Sequence, residues 1–305
     1  MKWEKLGLLL NPARHRTDWF ASHAALPIAQ PLDRGVLRVF FSGRDARNRA
    51  QIGALVCELA PRPRVLAVEP TPLVCPGELG TFDDSGVTSS CLVTRGDEQQ
   101  LWYTGWSLGR TVPFYFAVGV AVSTNGGHTF AKRSAAPALD RSAVDPLLVA
   151  SPTILVEHDL WRMWYVSGLR WVRDGDETRH YYHVRYAESR DGVAWRRDGR
   201  VCIDFAGDEE YAIGRPCVRR VGDHYEAWYC HRGTAYRIGY AVSADGLRWE
   251  RRDADAGIAP GAPGAWDAEM QCYPHVFEHD GATYMLYNGD GFGRSGIGVA
   301  VRPPA

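Results

Sequence analysis

Internal repetition is the feature that most constrains this 305-residue chain. Three segments share one pattern: Gly119 to Phe130, Arg185 to Trp195 and Gly239 to Trp249. Each is a short alternating strand, then an Asn-Gly or Asp-Gly turn, then an aromatic residue. Such a turn between alternating runs is a strong hairpin signal. Degenerate copies lie at Ile52 to Val56 and Ile297 to Val301. Aligned on Ala54, Ala121, Ala187, Ala241 and Ala300, the copies are spaced 67, 66, 54 and 59 residues apart. That makes five units.

An aromatic strand precedes each copy: Val39 to Gly43, Leu101 to Gly105, Met163 to Gly168, Ala227 to His231 and Met285 to Gly289. Before that strand, four units carry a proline, at Leu26-Pro27, Ser151-Pro152, Arg215-Pro216 and Tyr273-Pro274. The second unit has Ser89-Ser90-Cys91 there instead. Proline is tolerated at a first strand position. The pattern therefore predicts four strands per unit: A starting at the proline, B aromatic, C small and alternating, D after the turn. Helical periodicity is absent. The expected fold is all-β, one domain over residues 1–305, a five-bladed β-propeller of four-stranded antiparallel blades. The fifth unit ends at Pro303-Pro304-Ala305 without a D strand. Trp3-Glu4-Lys5 resembles the D strands at Trp195 and Trp249, so residues 2–9 are expected to close the last blade and cover its edge.

Composition narrows the function classes. A net charge of -1 argues against nucleic-acid binding. No apolar run is long enough to span a membrane, and Leu6 to Leu10 is too short for a secretory core. Seven cysteines with no C-x-x-C pair read as reduced core thiols and predict a cytoplasmic protein. No zinc or other metal-ligand spacing occurs. No cofactor is expected; an axial Ca²⁺ held by acids and waters would leave no sequence trace.

Alternating strand direction sorts residues by face. The Asp-Gly turns at Asp191 and Asp245 fall on the bottom and are expected to serve turn chemistry. The top collects the connections between units and the B–C loops. It gathers Asp83, Asp84, Glu210 and Glu269 with Arg44, Asp45, Trp106, Trp171, His231, Arg232, Asn288 and Asp290. The strand A starts add His23, Arg215, Tyr273 and His275. Any one of these loops would pass as solvated surface. Acids, arginines and aromatics converging from five units suit a carbohydrate pocket, where aromatics stack and arginines hold anionic groups.

These residues resemble a known group. Five units with Ser189 to Trp195 and Ser243 to Trp249 as S-x-D-G-x-x-W endings are similar to the five-bladed glycoside hydrolase superfamily. That superfamily includes β-fructosidases, arabinofuranosidases and xylosidases, and mannoside phosphorylases. Phe82 to Gly86, Tyr103 to Trp106, Arg215-Pro216 and Tyr287 to Gly289 resemble an uncharacterised glycosidase-like subgroup. The resemblance covers essentially the whole chain and implies three axial carboxylates, the first on blade one. The first strand here, Ser22 to Pro27, carries no acid; Asp18 lies earlier. In the phosphorylase relatives, a cluster of Arg, Lys, His and Tyr holds phosphate.

The expected function is therefore an inverting glycoside-processing enzyme, hydrolase or phosphorylase, acting on a small carbohydrate or sugar conjugate and, in the second case, phosphate. Asp84 and Glu210 are the expected acid/base pair, with Glu269 third. The expected substrate-binding residues are His23, Arg44, Asp45, Asp83, Trp106, Trp171, Arg215, His231, Arg232, Tyr273, His275, Asn288 and Asp290. The alternative is a propeller that binds a sugar or sugar nucleotide without hydrolysis, or that catalyses another reaction on a sugar-derived metabolite. A protein-interaction propeller is a third reading, which needs no axial acids and arginines.

Overall fold

The computed structural model describes residues 2–33, 35–59, 62–175 and 177–302. A first strand, β1 (Glu4–Leu10), stands alone in sequence. Antiparallel groups follow. The first is β2 (Ser22–Pro31), β3 (Val36–Arg44), β4 (Ala50–Glu58) and β5 (Arg64–Val68). The second is β6 (Gly86–Arg95), β7 (Glu98–Leu108), β8 (Phe114–Ser123) and β9 (Ala131–Lys132). The third is β10 (Val149–Glu157), β11 (Leu160–Asp174), β12 (Glu177–Ser189) and β13 (Val201–Ile203). The fourth is β14 (Ala212–Val221), β15 (His224–Arg232), β16 (Tyr236–Ser243) and β17 (Glu250–Arg251). The last is β18 (Cys272–His279), β19 (Ala282–Asn288) and β20 (Ile297–Arg302). Single parallel bridges, Ala50 to Gly86 and Tyr182 to Ala212, join the first group to the second and the third to the fourth.

The N-terminus completes the last group. β1 pairs antiparallel with β20, from Glu4 opposite Val301 to Leu10 opposite Ile297. The strand lies within one or two residues of the expected span. In the third group the outer strand is β13. Trp195 to Arg197, expected there, contributes only a lone bridge from Arg196 to Glu188.

The aromatic pairs of the B strands explain the packing. Neighbouring side chains on a strand face opposite ways. Phe40, Trp102, Trp164, Trp228 and Leu286 therefore face the next group, while Phe41, Tyr103, Tyr165, Tyr229 and Tyr287 face the previous one. Each sheet is thus buried on both faces. The interface of the last group with the first is filled by Leu9, Leu10, Leu286 and Val299 against Leu37, Val39 and Phe41.

The prolines do not start strands. Pro27, Pro152, Pro216 and Pro274 lie inside β2, β10, β14 and β18, each at a bulge. Proline cannot donate to a ladder, so the bulge takes it out of register. β6 has the same bulge at Ser89 to Cys91 without proline. The residues before the four prolines, Leu26, Ser151, Arg215 and Tyr273, have φ of 53°, 47°, 50° and 56°. Side chains in this left-handed region cost about 1–2 kcal/mol each.

The Asp-Gly turns carry turn chemistry. Asp191 Oδ1 accepts from the backbone N–H groups of Val193 and Ala194, and Asp245 Oδ1 from those of Leu247 and Arg248. Six of the seven cysteines are buried as free thiols, and Cys75 is exposed. No helix among the described residues is long and apolar enough to cross a membrane.

Candidate ligand-binding site

The bulges turn four side chains toward one cavity. Leu26, Ser151, Arg215 and Tyr273, all with positive φ, line a space of about 250 Å³. Strain of this kind clusters at binding sites. His23, Ser42, Arg44, Thr88, Thr104 and Trp106 add polar and stacking groups. Phe114, Phe116, His180, Tyr182, Tyr236 and Phe292 complete an aromatic wall. Gly86 is required beneath Trp106, because a Cβ there would sit 2.2 Å from the indole Nε1. Phe114 and Phe116 stack at 4.3 Å, and Trp171 meets Phe114 edge-on at 5.2 Å behind them.

Two arginines supply the charge. Arg44 donates to Asn48 Oδ1 at 3.0 Å. Arg215 donates to the carbonyls of Ser90 and Pro27. Among the described residues neither has a carboxylate partner. Burial lowers the pKa of both from the usual arginine value. Burial, then Arg44 and Arg294, lowers His23 to about 4, and burial with Arg232 lowers His180 to about 4. Both imidazoles are therefore neutral at pH 7. The His23 Nδ1 pairs with Ser22 Oγ at 3.0 Å.

No carboxylate lines this cavity among the described residues. Asp84 accepts from the backbone N–H of Gly80 at 3.0 Å and the hydroxyl of Ser85 at 2.8 Å. Glu269 is exposed, and its carbonyl accepts from Arg237. Glu210 pairs with Arg251 at 2.6 Å and with His231 Nδ1 at 2.8 Å. The other connection acids also turn away from the cavity. Asp83 takes Tyr103 and Lys132, at 2.9 and 2.6 Å. Asp145 takes Tyr165 and Arg197, at 2.9 and 3.0 Å. Asp267 takes Tyr287 and Lys5, at 2.9 and 2.6 Å. The repeated unit is an acid, a B-strand tyrosine and a cation on or near the outermost strand. These acids brace the sheets.

The remaining expected residues divide. His23, Arg44, Trp106, Arg215 and Tyr273 line the cavity. Trp171 and Arg232 stand one layer behind; Arg232 lies over Tyr236 at 5.3 Å and over Phe292 at 5.8 Å. Asp45 caps its own turn through Arg47, Arg49 and Gln51. Asn288 ties β19 to Leu26 and Ala24, and Asp290 accepts from the N–H groups of Glu269 and Met270. His275 lies beyond Arg215 in a second cavity. Phe114, Phe116, His180, Tyr182 and Tyr236 line the cavity without being among the expected residues. The i, i+2 spacing of Phe114 with Phe116 and of His180 with Tyr182 marks one face of a strand and was available as a signal.

A metal finds poor accommodation. Glu210, His231 and Asp253 place ligand atoms within 4.8 Å of one another, but Arg251 already bridges the two carboxylates. At the centre, the buried guanidinium of Arg215 does not fit the oxygen-rich donor set that Ca²⁺ takes.

The Glu210 cluster makes a pH prediction. Burial alone would raise its pKa, but hydrogen bonds from His231, Arg251 and the Ala206 N–H, with the Arg251 charge, hold it far below the usual range. A depressed carboxylate stabilises fully above its unfolded value and loses that contribution as pH falls through its folded value. Glu210→Gln should therefore lower Tm at pH 7, and the gap should shrink as pH drops below about 4. Thermal melts across pH check this; a gap that widens in acid would contradict it.

No protein-family model matches the chain. Among solved structures, one described simply as "Glycoside hydrolase" superposes with a TM-score of 0.75 at 18% identity, covering 99% of this chain and 92% of that one. A glycosyl hydrolase from Bacteroides ovatus gives 0.70 at 17%, over 98% and 89%. A structure from the GH130 family of mannoside phosphorylases, described as containing glycoside hydrolases for β-1,2 mannosidic linkages in Candida mannan, gives 0.68 at 17%, over 100% and 91%. The fold is that of the propeller glycoside hydrolases. In sequence, two Mycobacterium tuberculosis proteins, Uncharacterized protein MT1551 and Uncharacterized protein Rv1502, are each 42% identical to this chain over 301 residues, 99% of it and 99% of each of them, and the chain belongs to their family.

Proposed function

We propose that the five antiparallel groups are the blades of one closed five-bladed propeller, and that its axial cavity binds a sugar-derived metabolite bearing an anionic group without hydrolysing it. The ring of inter-sheet cores, ending with Leu9 and Leu10 between the last group and the first, supports closure. Sugar as the ligand class is supported by the glycoside hydrolase neighbours and by the Trp106, Tyr182 and Tyr273 faces, on which sugar rings can stack. One observation carries the reading: among the described residues, the cavity lining has two guanidinium groups without carboxylate partners and no acid.

Inverting hydrolysis needs two carboxyl groups about 6.5–9.5 Å apart across the scissile bond. Phosphorolysis also needs an acid at the leaving oxygen. Asp84, Glu210 and Glu269 are engaged elsewhere or exposed, so the non-hydrolytic alternative is favoured. Arg44 suits a phosphate or carboxylate. His23 and His180, both neutral at pH 7, line the cavity as uncharged polar groups.

Calorimetry with hexose phosphates, hexuronates and neutral hexoses, with chromatography of the products, tests this. The anionic sugars should bind and be recovered intact. Reducing sugar released from a glycoside would overturn the reading. Arg44→Gln should weaken binding about 10- to 100-fold, the range for losing a charge-assisted hydrogen bond.

A further inference from the structure

A second cavity, of about 290 Å³, lies on the far side of the bulges. Its walls come from the innermost strand of every group, through residues such as Gln30, Thr94, Thr153, Cys217 and His275. Arg215 lines both cavities, so its side chain stands between them. It is 2% exposed. From the fourth group it reaches carbonyls of the first and second, Pro27 at 3.0 Å and Ser90. Both carbonyls lie at bulges, where the ladder leaves groups unpaired.

The guanidinium is incompletely satisfied. Its Nε–H is buried and has no partner among the described residues. No described carboxylate pairs with it. The titratable neighbours do not compensate. Burial and Arg215 lower His275 to about 3, so it is neutral. Burial pushes the Cys91 thiol up to about 12 and raises Cys217 as well, so both stay protonated. Arginine does not shed its proton in proteins, and buried charges are normally paired. One uncompensated positive charge therefore sits at the centre of the molecule.

We propose that Arg215 holds a small monovalent anion, of the halide class, in the second cavity. The walls decide the class. Ile28, Leu92, Ile154, Leu155, Val218 and Val276 make them largely apolar, and of the three guanidinium nitrogens only Nε lacks a partner among the described residues. A phosphate would demand several donors. A halide needs few and is cheaper to dehydrate. This site is separate from the ligand anion, whose own contact is Arg44 on the opposite side.

Two measurements on the full chain test the proposal. Crystals grown in sodium bromide should show an anomalous peak beside Arg215. Tm in sodium chloride should exceed Tm in sodium gluconate at equal ionic strength by about 2–4 °C, and Arg215→Met should erase that difference. Water at Arg215 with no anomalous signal would overturn it, and so would phosphate or carboxylate density there. Should Arg215→Met fail to fold, the bromide signal in the unaltered protein decides. Failure here leaves the sugar reading standing, because that reading is tested through Arg44.

Discussion

A chain lacking residues 1–10 should show no cooperative unfolding transition. β1 supplies the outer strand of the last sheet, and without it the backbone of β20 becomes an open edge. The loss is also one of core. Leu10 is fully buried, Leu9 and Trp3 nearly so, and Trp3 packs edge-on against Trp228 at 6.0 Å. Lys5 would no longer meet Asp267, whose carboxylate is buried. Removing a buried Leu side chain costs about 2–5 kcal/mol and a Trp about 3–5. Three such losses rival the whole stability of a typical domain, about 5–15 kcal/mol. Circular dichroism melts check this; a soluble truncation with a sharp transition would refute the closure. Leu10→Ala alone should cost about 2–5 kcal/mol.

Asp145→Ala should destabilise by about 3–5 kcal/mol, the cost of orphaning a buried ion pair. Asp145 is fully buried and accepts from the hydroxyls of Tyr165 at 2.9 Å and Ser167 at 2.7 Å. It also pairs with Arg185 at 3.3 Å and Arg197 at 3.0 Å, whose side chains are each 15% exposed. Without the carboxylate those guanidiniums lose their counter-charge. Adding Arg197→Met should recover part of the loss, because it removes one orphaned cation. Ligand affinity should not change, since Asp145 does not line the cavity. Urea denaturation with a binding titration checks both halves. A loss below about 1 kcal/mol would show that the brace is not stabilising.

Part of the cavity lining is legible in the sequence. Strand direction alone places His23, Arg44, Trp106, Arg215 and Tyr273 at one mouth, and all five line the cavity. The prolines are visible but their role is not, because the pattern does not distinguish a strand start from a bulge in mid-strand. The connection acids mislead for a different reason. Loops have no period, so nothing local says which way Asp84 or Glu210 turns.

What the chain by itself determined is the local and repeated part: five alternating units, Asp-Gly turns at Asp191 and Asp245, aromatic pairs that serve two interfaces, and an N-terminal strand matching the missing outer strand. Each depends on neighbours in sequence, through turn geometry or the two-residue period of a strand. Only the tertiary structure decided which charges are spoken for. Glu210 finds Arg251 41 residues away, Asp83 finds Lys132 49 away, and Asp267 finds Lys5 262 away. Arg44 and Arg215 find no acid among the described residues. A carboxylate beside a cation on an outer strand is neutralised there, whereas a guanidinium without one keeps its charge open to the cavity it lines. That difference rests on distance through space, which spacing along the chain does not encode.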